Sequence, residues 1–111
     1  MSDILRQLEQ TLIERQSADP DASYVASLYA RGLDKILEKV GEEATETLLA
    51  AKNMEASNTP EKRAELCGEV ADLWFHSLVM LRQLGVDFSE IEQVLARRVG
   101  TSGLVEKAQR Q

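Results

Sequence analysis

Apolar residues recur at helical spacing along almost the whole chain. Ile4, Leu5, Leu8, Leu12 and Ile13 predict a first helix over residues 2–16, with Ser2 as its N-cap. Ser17-Ala18-Asp19-Pro20-Asp21-Ala22 breaks that rhythm with turn-forming residues. Ser23 caps a short second helix to about Arg31, which Gly32 ends or bends. In a third helix over about 33–53, Leu33, Ile36, Leu37, Val40, Ala44, Thr47, Leu48 and Ala51 share one side at ~100° per residue. Gly41 lies inside that helix and costs about 1 kcal/mol relative to Ala. Such a glycine is best accommodated where a ligand or another helix comes close to the backbone.

After the polar link Asn53 to Thr59, Thr59-Pro60 is a strong helix start, a capping hydroxyl followed by proline at the first position. The fourth helix is expected over about 60–84, stopping before Gly85. Its apolar residues, from Leu66 and Val70 through Leu73, Trp74 and Leu78 to Leu84, wrap most of the circumference. That predicts a helix buried among several others, with Trp74 and Cys67 in the core. One polar strip remains, holding Glu65, Glu69, Asp72, His76 and Gln83 within roughly 60°. Asp87 or Ser89 caps a fifth helix to about Val99, each with a glutamate three residues on, Glu90 or Glu92. Gly100-Thr101-Ser102-Gly103 is a loop, and Leu104 to Lys107 a further helical turn. The fold class is all-α: a single domain over 1–111, a bundle of about five helices. The fourth helix is too apolar for one small bundle, so a homodimer or larger assembly with a four-helix-bundle-type core is expected, the first and fourth helices being candidate interface elements.

Composition narrows the functional classes. The 43% hydrophobic content fits a globular protein, and a net charge of −6 argues against a broad nucleic-acid or anionic-membrane surface. A small phosphorylated ligand, met by a few local cations and a metal, is compatible with that charge. One Cys and one His exclude an internal disulfide and make a Cys/His zinc site within one chain implausible. No stretch reaches the roughly 18 apolar residues of a membrane span. Met1-Ser2-Asp3-Ile4 carries no basic-then-apolar signal pattern. A soluble cytoplasmic protein is the expectation.

The chemistry lies in two acidic pairs, Glu43/Glu46 and Glu69/Asp72, each with three-residue spacing and with 22 residues between the pairs. Residues three apart share a helix face, so two antiparallel helices would aim four carboxylates at one point. Four such charges repel unless a hard cation with oxygen ligands neutralises them, and Mg²⁺ is the usual one in phosphate chemistry. The rival reading is a solvated acidic face. Against it, the second pair occupies the only polar strip of an otherwise apolar helix, where unpaired carboxylates are costly. Lys39 is either an i, i+4 salt bridge to Glu43 or a phosphate contact beside the metal. His76 is more in keeping with a hydrogen-bonded structural residue than with a ligand of Mg²⁺. Arg97 and Arg98 are surface charge or, with the Gly100–Gly103 loop, an anion site.

Lys39-Val40-Gly41-Glu42-Glu43-Ala44-Thr45-Glu46 followed by Glu69-Val70-Ala71-Asp72 resembles the paired motifs of the all-α nucleoside-triphosphate pyrophosphohydrolases. Three flanking segments are similar to those of phosphoribosyl-ATP pyrophosphohydrolases of histidine biosynthesis. They are Ser23-Tyr24 through Leu28 to Gly32-Leu33-Asp34-Lys35-Ile36, Asp72-Leu73-Trp74-Phe75-His76 and Arg98-Val99-Gly100-Thr101-Ser102-Gly103. Phe75 stands where the family often has Tyr. The resemblance implies Mg²⁺-dependent hydrolysis of phosphoribosyl-ATP to phosphoribosyl-AMP and pyrophosphate, by the stand-alone form lacking a fused cyclohydrolase. It makes Glu43, Glu46, Glu69 and Asp72 the metal ligands, and Glu42 a second candidate for base or outer ligand.

Phosphoanhydride hydrolysis requires neutralised phosphates, an aligned water and a stabilised leaving group. Glu42 or Glu46 could orient the water. Lys39, and with it Lys35, Arg98 and Ser102, would meet the phosphates. Two alternatives stand beside this reading: a house-cleaning pyrophosphatase for dUTP or damaged nucleotides, and a non-catalytic helical dimerisation module.

Overall fold

A computed structural model describes residues 3–100. Among these residues there are five helices and no strands: α1 (Asp3–Arg15), α2 (Tyr24–Arg31), α3 (Leu33–Ala56), α4 (Pro60–Gln83) and α5 (Phe88–Gly100). The Ser2 cap, the Thr101–Gly103 part of the glycine loop and the turn at Leu104–Lys107 lie outside the described residues. No helix among the described residues is long and apolar enough to cross a membrane.

Local chemistry explains the boundaries. The Ser23 hydroxyl accepts from Ala26 N–H at 3.2 Å, and Thr59 accepts likewise from Lys62 N–H at 3.2 Å, with Pro60 opening α4. Gly32 ends α2 at φ 95, a conformation that side chains rarely adopt, and its N–H donates to Leu28 O at 3.1 Å. Of the two cap options for α5, Asp87 is the one used: its Oδ1 accepts from Ser89 N–H and Glu90 Oε2 accepts from Asp87 N–H, each at 2.9 Å. The third helix continues past Asn53 to Ala56, three residues beyond expectation. An Asn is only weakly unfavourable in a helix, and the Lys52–Glu55 pair bridges the last turn.

α3 and α4, each of 24 residues, form an antiparallel pair joined by residues 57–59. α1 and α2 cover one end of this pair. There every helix contributes one fully buried side chain to the core: Leu12, Leu28, Ile36, Val79 and Phe88. Glu9 of α1 seals the α5 start, accepting from Phe88 N–H at 2.9 Å while lying 3.6 Å from the Arg82 guanidinium. Among the described residues nothing covers the opposite end, with Leu48 69% exposed and Leu49 close behind.

α4 departs from the expectation of all-round burial: only His76 and Val79 are buried along it. Trp74 is 57% exposed and Cys67 is exposed, so neither is core in this chain. Both lie on the side of α4 opposite Asp72, where α5 leaves an apolar groove of about 710 Å³ lined by Leu5, Trp74, Leu78, Leu81, Leu95 and Val99 among others. Periodicity reports which faces are apolar; it does not say that one chain can cover them all.

Candidate functional site

The antiparallel register of α3 and α4 sets Glu43 beside Asp72 and Glu46 beside Glu69. One oxygen from each of Glu43, Glu69 and Asp72 lies within 4.8 Å of the others. Glu46, one turn along α3 from Glu43, lies near enough to act electrostatically on both Glu43 and Glu69. All four acidic positions singled out from the sequence are therefore brought together, beyond the core end of the bundle.

The cluster is electrostatically unsettled. Oε2 of Glu43 and Oε2 of Glu69 are both shut off from solvent and have no hydrogen-bond partner among the described residues. The neighbouring Glu46 carboxyl, and then burial, push the Glu69 carboxyl up to about 7. Burial, followed by the Glu46 carboxyl and the Asp72 charge, raises Glu43 as well. Two buried, partnerless carboxylate oxygens inside a four-carboxylate group form a donor set for a hard divalent cation: all oxygen, anionic and convergent. The residues present therefore fit Mg²⁺.

The remaining candidates are distributed differently. Glu42 points away from the cluster, and its Oε2 lies 3.4 Å from Lys39 Nζ. Lys39 thus pairs with Glu42, not with Glu43 as the salt-bridge reading supposed. Glu43, at only 12% side-chain exposure, is turned inward, which leaves the exposed i+3 carboxylate as the available partner. Lys39 also stands within electrostatic reach of the Tyr24 hydroxyl, and Glu42 raises its pKa. Lys35 pairs with Glu38 at 3.4 Å, about 12 Å along the helix axis from Glu43 at 1.5 Å per residue. Arg98 is exposed in the last turn of α5, and Ser102 lies outside the described residues. Gly41 does not mark a close approach among the described residues. A Cβ there would meet nothing within 4 Å, since at ~100° per residue the position faces away from Glu43.

His76, expected as a hydrogen-bonded structural residue, bonds on both ring nitrogens. Nδ1 lies 2.9 Å from the Asp72 carbonyl and Nε2 lies 3.0 Å from the Tyr24 hydroxyl. The Tyr24 contact was not legible beforehand. It spans 52 residues, and only the capping position of Ser23 placed Tyr24 at the start of a helix.

The family model for phosphoribosyl-ATP pyrophosphohydrolase matches residues 5–99 of this chain, a span that includes both acidic pairs, Lys39, Tyr24 and His76.

Proposed function

Because the chain belongs to the phosphoribosyl-ATP pyrophosphohydrolase family and is a hydrolase of histidine biosynthesis, we propose that it cleaves phosphoribosyl-ATP to phosphoribosyl-AMP and pyrophosphate with Mg²⁺. The observation that carries the metal part of this reading is the convergence of Glu43, Glu69 and Asp72 within 4.8 Å, with two buried carboxylate oxygens lacking partners. Glu43, Glu46, Glu69 and Asp72 would hold the ion. Bound there, Mg²⁺ would neutralise phosphate charge and stabilise departing pyrophosphate.

The side chains supply positioning and proton handling. Glu46 is the more exposed partner of the Glu46–Glu69 pair and is the better placed of the two proposed bases, since Glu42 is engaged by Lys39. It would orient the attacking water and accept its proton. Lys39, a turn from the cluster, offers a point charge to a phosphate arriving at the acids; its bond to Glu42 is exposed and therefore easily released. Lys35, Arg98 and Ser102 are proposed as further contacts to the substrate's phosphates. The chain would act as a homodimer, as its large exposed apolar side chains on α3, α4 and α5 support.

Purified protein incubated with phosphoribosyl-ATP, with dUTP and with canonical triphosphates, each with Mg²⁺ and with chelator, tests the proposal. Pyrophosphate release from phosphoribosyl-ATP alone, abolished by chelator, is expected. Preferred turnover of dUTP would shift the chain to nucleotide house-cleaning, and chelator-insensitive turnover would remove Mg²⁺ from the reading.

A further inference from the structure

His76 is 6% exposed, the buried polar side chain of the core among the described residues, and it touches both halves of the acidic seam. Its Nδ1 lies 2.9 Å from the Asp72 carbonyl on α4 and 4.0 Å from Glu43 Oε1 on α3. A carbonyl only accepts, so Nδ1 carries the proton and donates it to Asp72 O. In the neutral ring Nε2 is then the acceptor, taking the O–H of Tyr24 at 3.0 Å. Both ring nitrogens are occupied, which removes His76 as a direct ligand for a cation held by the acids.

Tyr24 opens α2, and its ring meets the imidazole edge-on at a centroid distance of 6.1 Å and an angle of 89°. Tyr24 is nevertheless 54% exposed. A tyrosine so open to water is not held by burial alone. The bond to a buried imidazole is a specific constraint on it, and in the other direction it fixes the tautomer and the rotation of that imidazole.

We propose that Tyr24 and His76 are positioning residues for the acidic site. The Tyr24 hydroxyl orients the imidazole; the imidazole holds the α4 backbone at Asp72 and forms the wall beside the Glu43 carboxylate. α2 is thereby tied to the α3–α4 seam at the point where the two acidic pairs face each other. This rests on the reading of the cluster as a cation site. Residues that orient metal ligands without touching the ion typically change affinity about 10–100-fold when altered. Tyr24 is one step further out, and a smaller effect is expected from it.

Manganese binding, followed by the loss of the free Mn²⁺ resonance in electron paramagnetic spectra, separates the possibilities without any substrate. Mn²⁺ takes the same oxygen donors as Mg²⁺. The intact chain is compared with Tyr24→Phe, His76→Asn, His76→Leu and Glu69→Gln, with melting followed by circular dichroism. His76→Leu is expected to weaken Mn²⁺ binding at least tenfold. His76→Asn, whose amide can still donate to the Asp72 carbonyl, should lose less. Tyr24→Phe decides the matter should either His76 variant fail to fold, because it removes one hydroxyl from a half-exposed residue. A loss of threefold or more, with melting little changed, supports the proposal. A Tyr24→Phe affinity within threefold of the intact chain overturns it and leaves the Tyr24–His76 bond a helix-docking contact. Should Glu69→Gln also bind as the intact chain does, the cation-site reading itself has failed, and the two failures are told apart.

Discussion

Glu46 on α3 and Glu69 on α4 face each other across the helix seam, and the Glu46 carboxyl, followed by burial, holds the Glu69 carboxyl up at about 7. A retained proton and a bound cation are two answers to the same repulsion. Without metal Glu69 keeps its proton to a higher pH than a free carboxyl does; with metal it is expected to give that proton up.

A pH dependence follows with a definite sign. The folded-state value of Glu69 lies above its ordinary 4.5, so the folded chain binds more protons than the unfolded one between about 4.5 and about 7. That contribution to stability is fully present below the unfolded value and is lost as pH rises through about 7. In chelator, the melting temperature should therefore fall from pH 5 to pH 8. Glu69→Gln, a permanent mimic of the protonated acid, should flatten this fall, and added Mg²⁺ should raise melting most at pH 8. A melting temperature that rises across the same range in chelator would contradict the raised Glu69 value.

The four acids should be individually indispensable for turnover. Glu43→Gln, Glu46→Gln, Glu69→Gln and Asp72→Asn are each expected to reduce pyrophosphate release nearly to background while the helical circular dichroism persists. None of the four belongs to the packed core of Leu12, Leu28, Ile36, Val79 and Phe88. Near-normal turnover at saturating Mg²⁺ in any two of them would refute the assignment.

Lys39→Met and Arg98→Ala test the phosphate contacts. Each should lower kcat/KM by at least about tenfold, ~1.4 kcal/mol of transition-state stabilisation. Melting should barely move, because the Lys39–Glu42 pair is exposed and Arg98 lies in the outer turn of α5. Lost stability with intact kinetics would make Lys39 a structural residue, and unchanged kinetics in Arg98→Ala would leave that arginine without a role.

Self-association is expected to cover the apolar faces left open by one chain. Sedimentation at low micromolar concentration should give a dimer or larger species, and Trp74→Lys or Leu48→Lys should weaken it. A well-folded particle at 12.4 kDa would count against the assembly.

Much of the fold was legible because its signals are local. The helical rhythm of apolar residues, the Thr59-Pro60 start and the Asp87/Glu90 cap all act within a turn or two of the chain, and each reappears as a helix boundary. The acidic pairs were legible for the same reason: three-residue spacing puts Glu43 with Glu46, and Glu69 with Asp72, on one face whatever else the chain does. Trp74 and Cys67, expected in the core, are exposed, since an apolar residue looks the same in sequence whether its partner is this chain or another surface.

Sequence by itself determined the helices, their apolar faces and the two carboxylate pairs, because helix geometry converts spacing directly into direction. Only the tertiary structure decided how α3 and α4 slide against each other, and that register is what brings Glu43, Glu69 and Asp72 oxygens within 4.8 Å. It also decided that Lys39 takes Glu42 while Glu43 turns inward, two outcomes that i+3 and i+4 spacing permit equally. The bond from Tyr24 to His76 joins residues 52 apart through the docking of α2. Such contacts depend on packing among whole helices, and no local pattern of residue types encodes them.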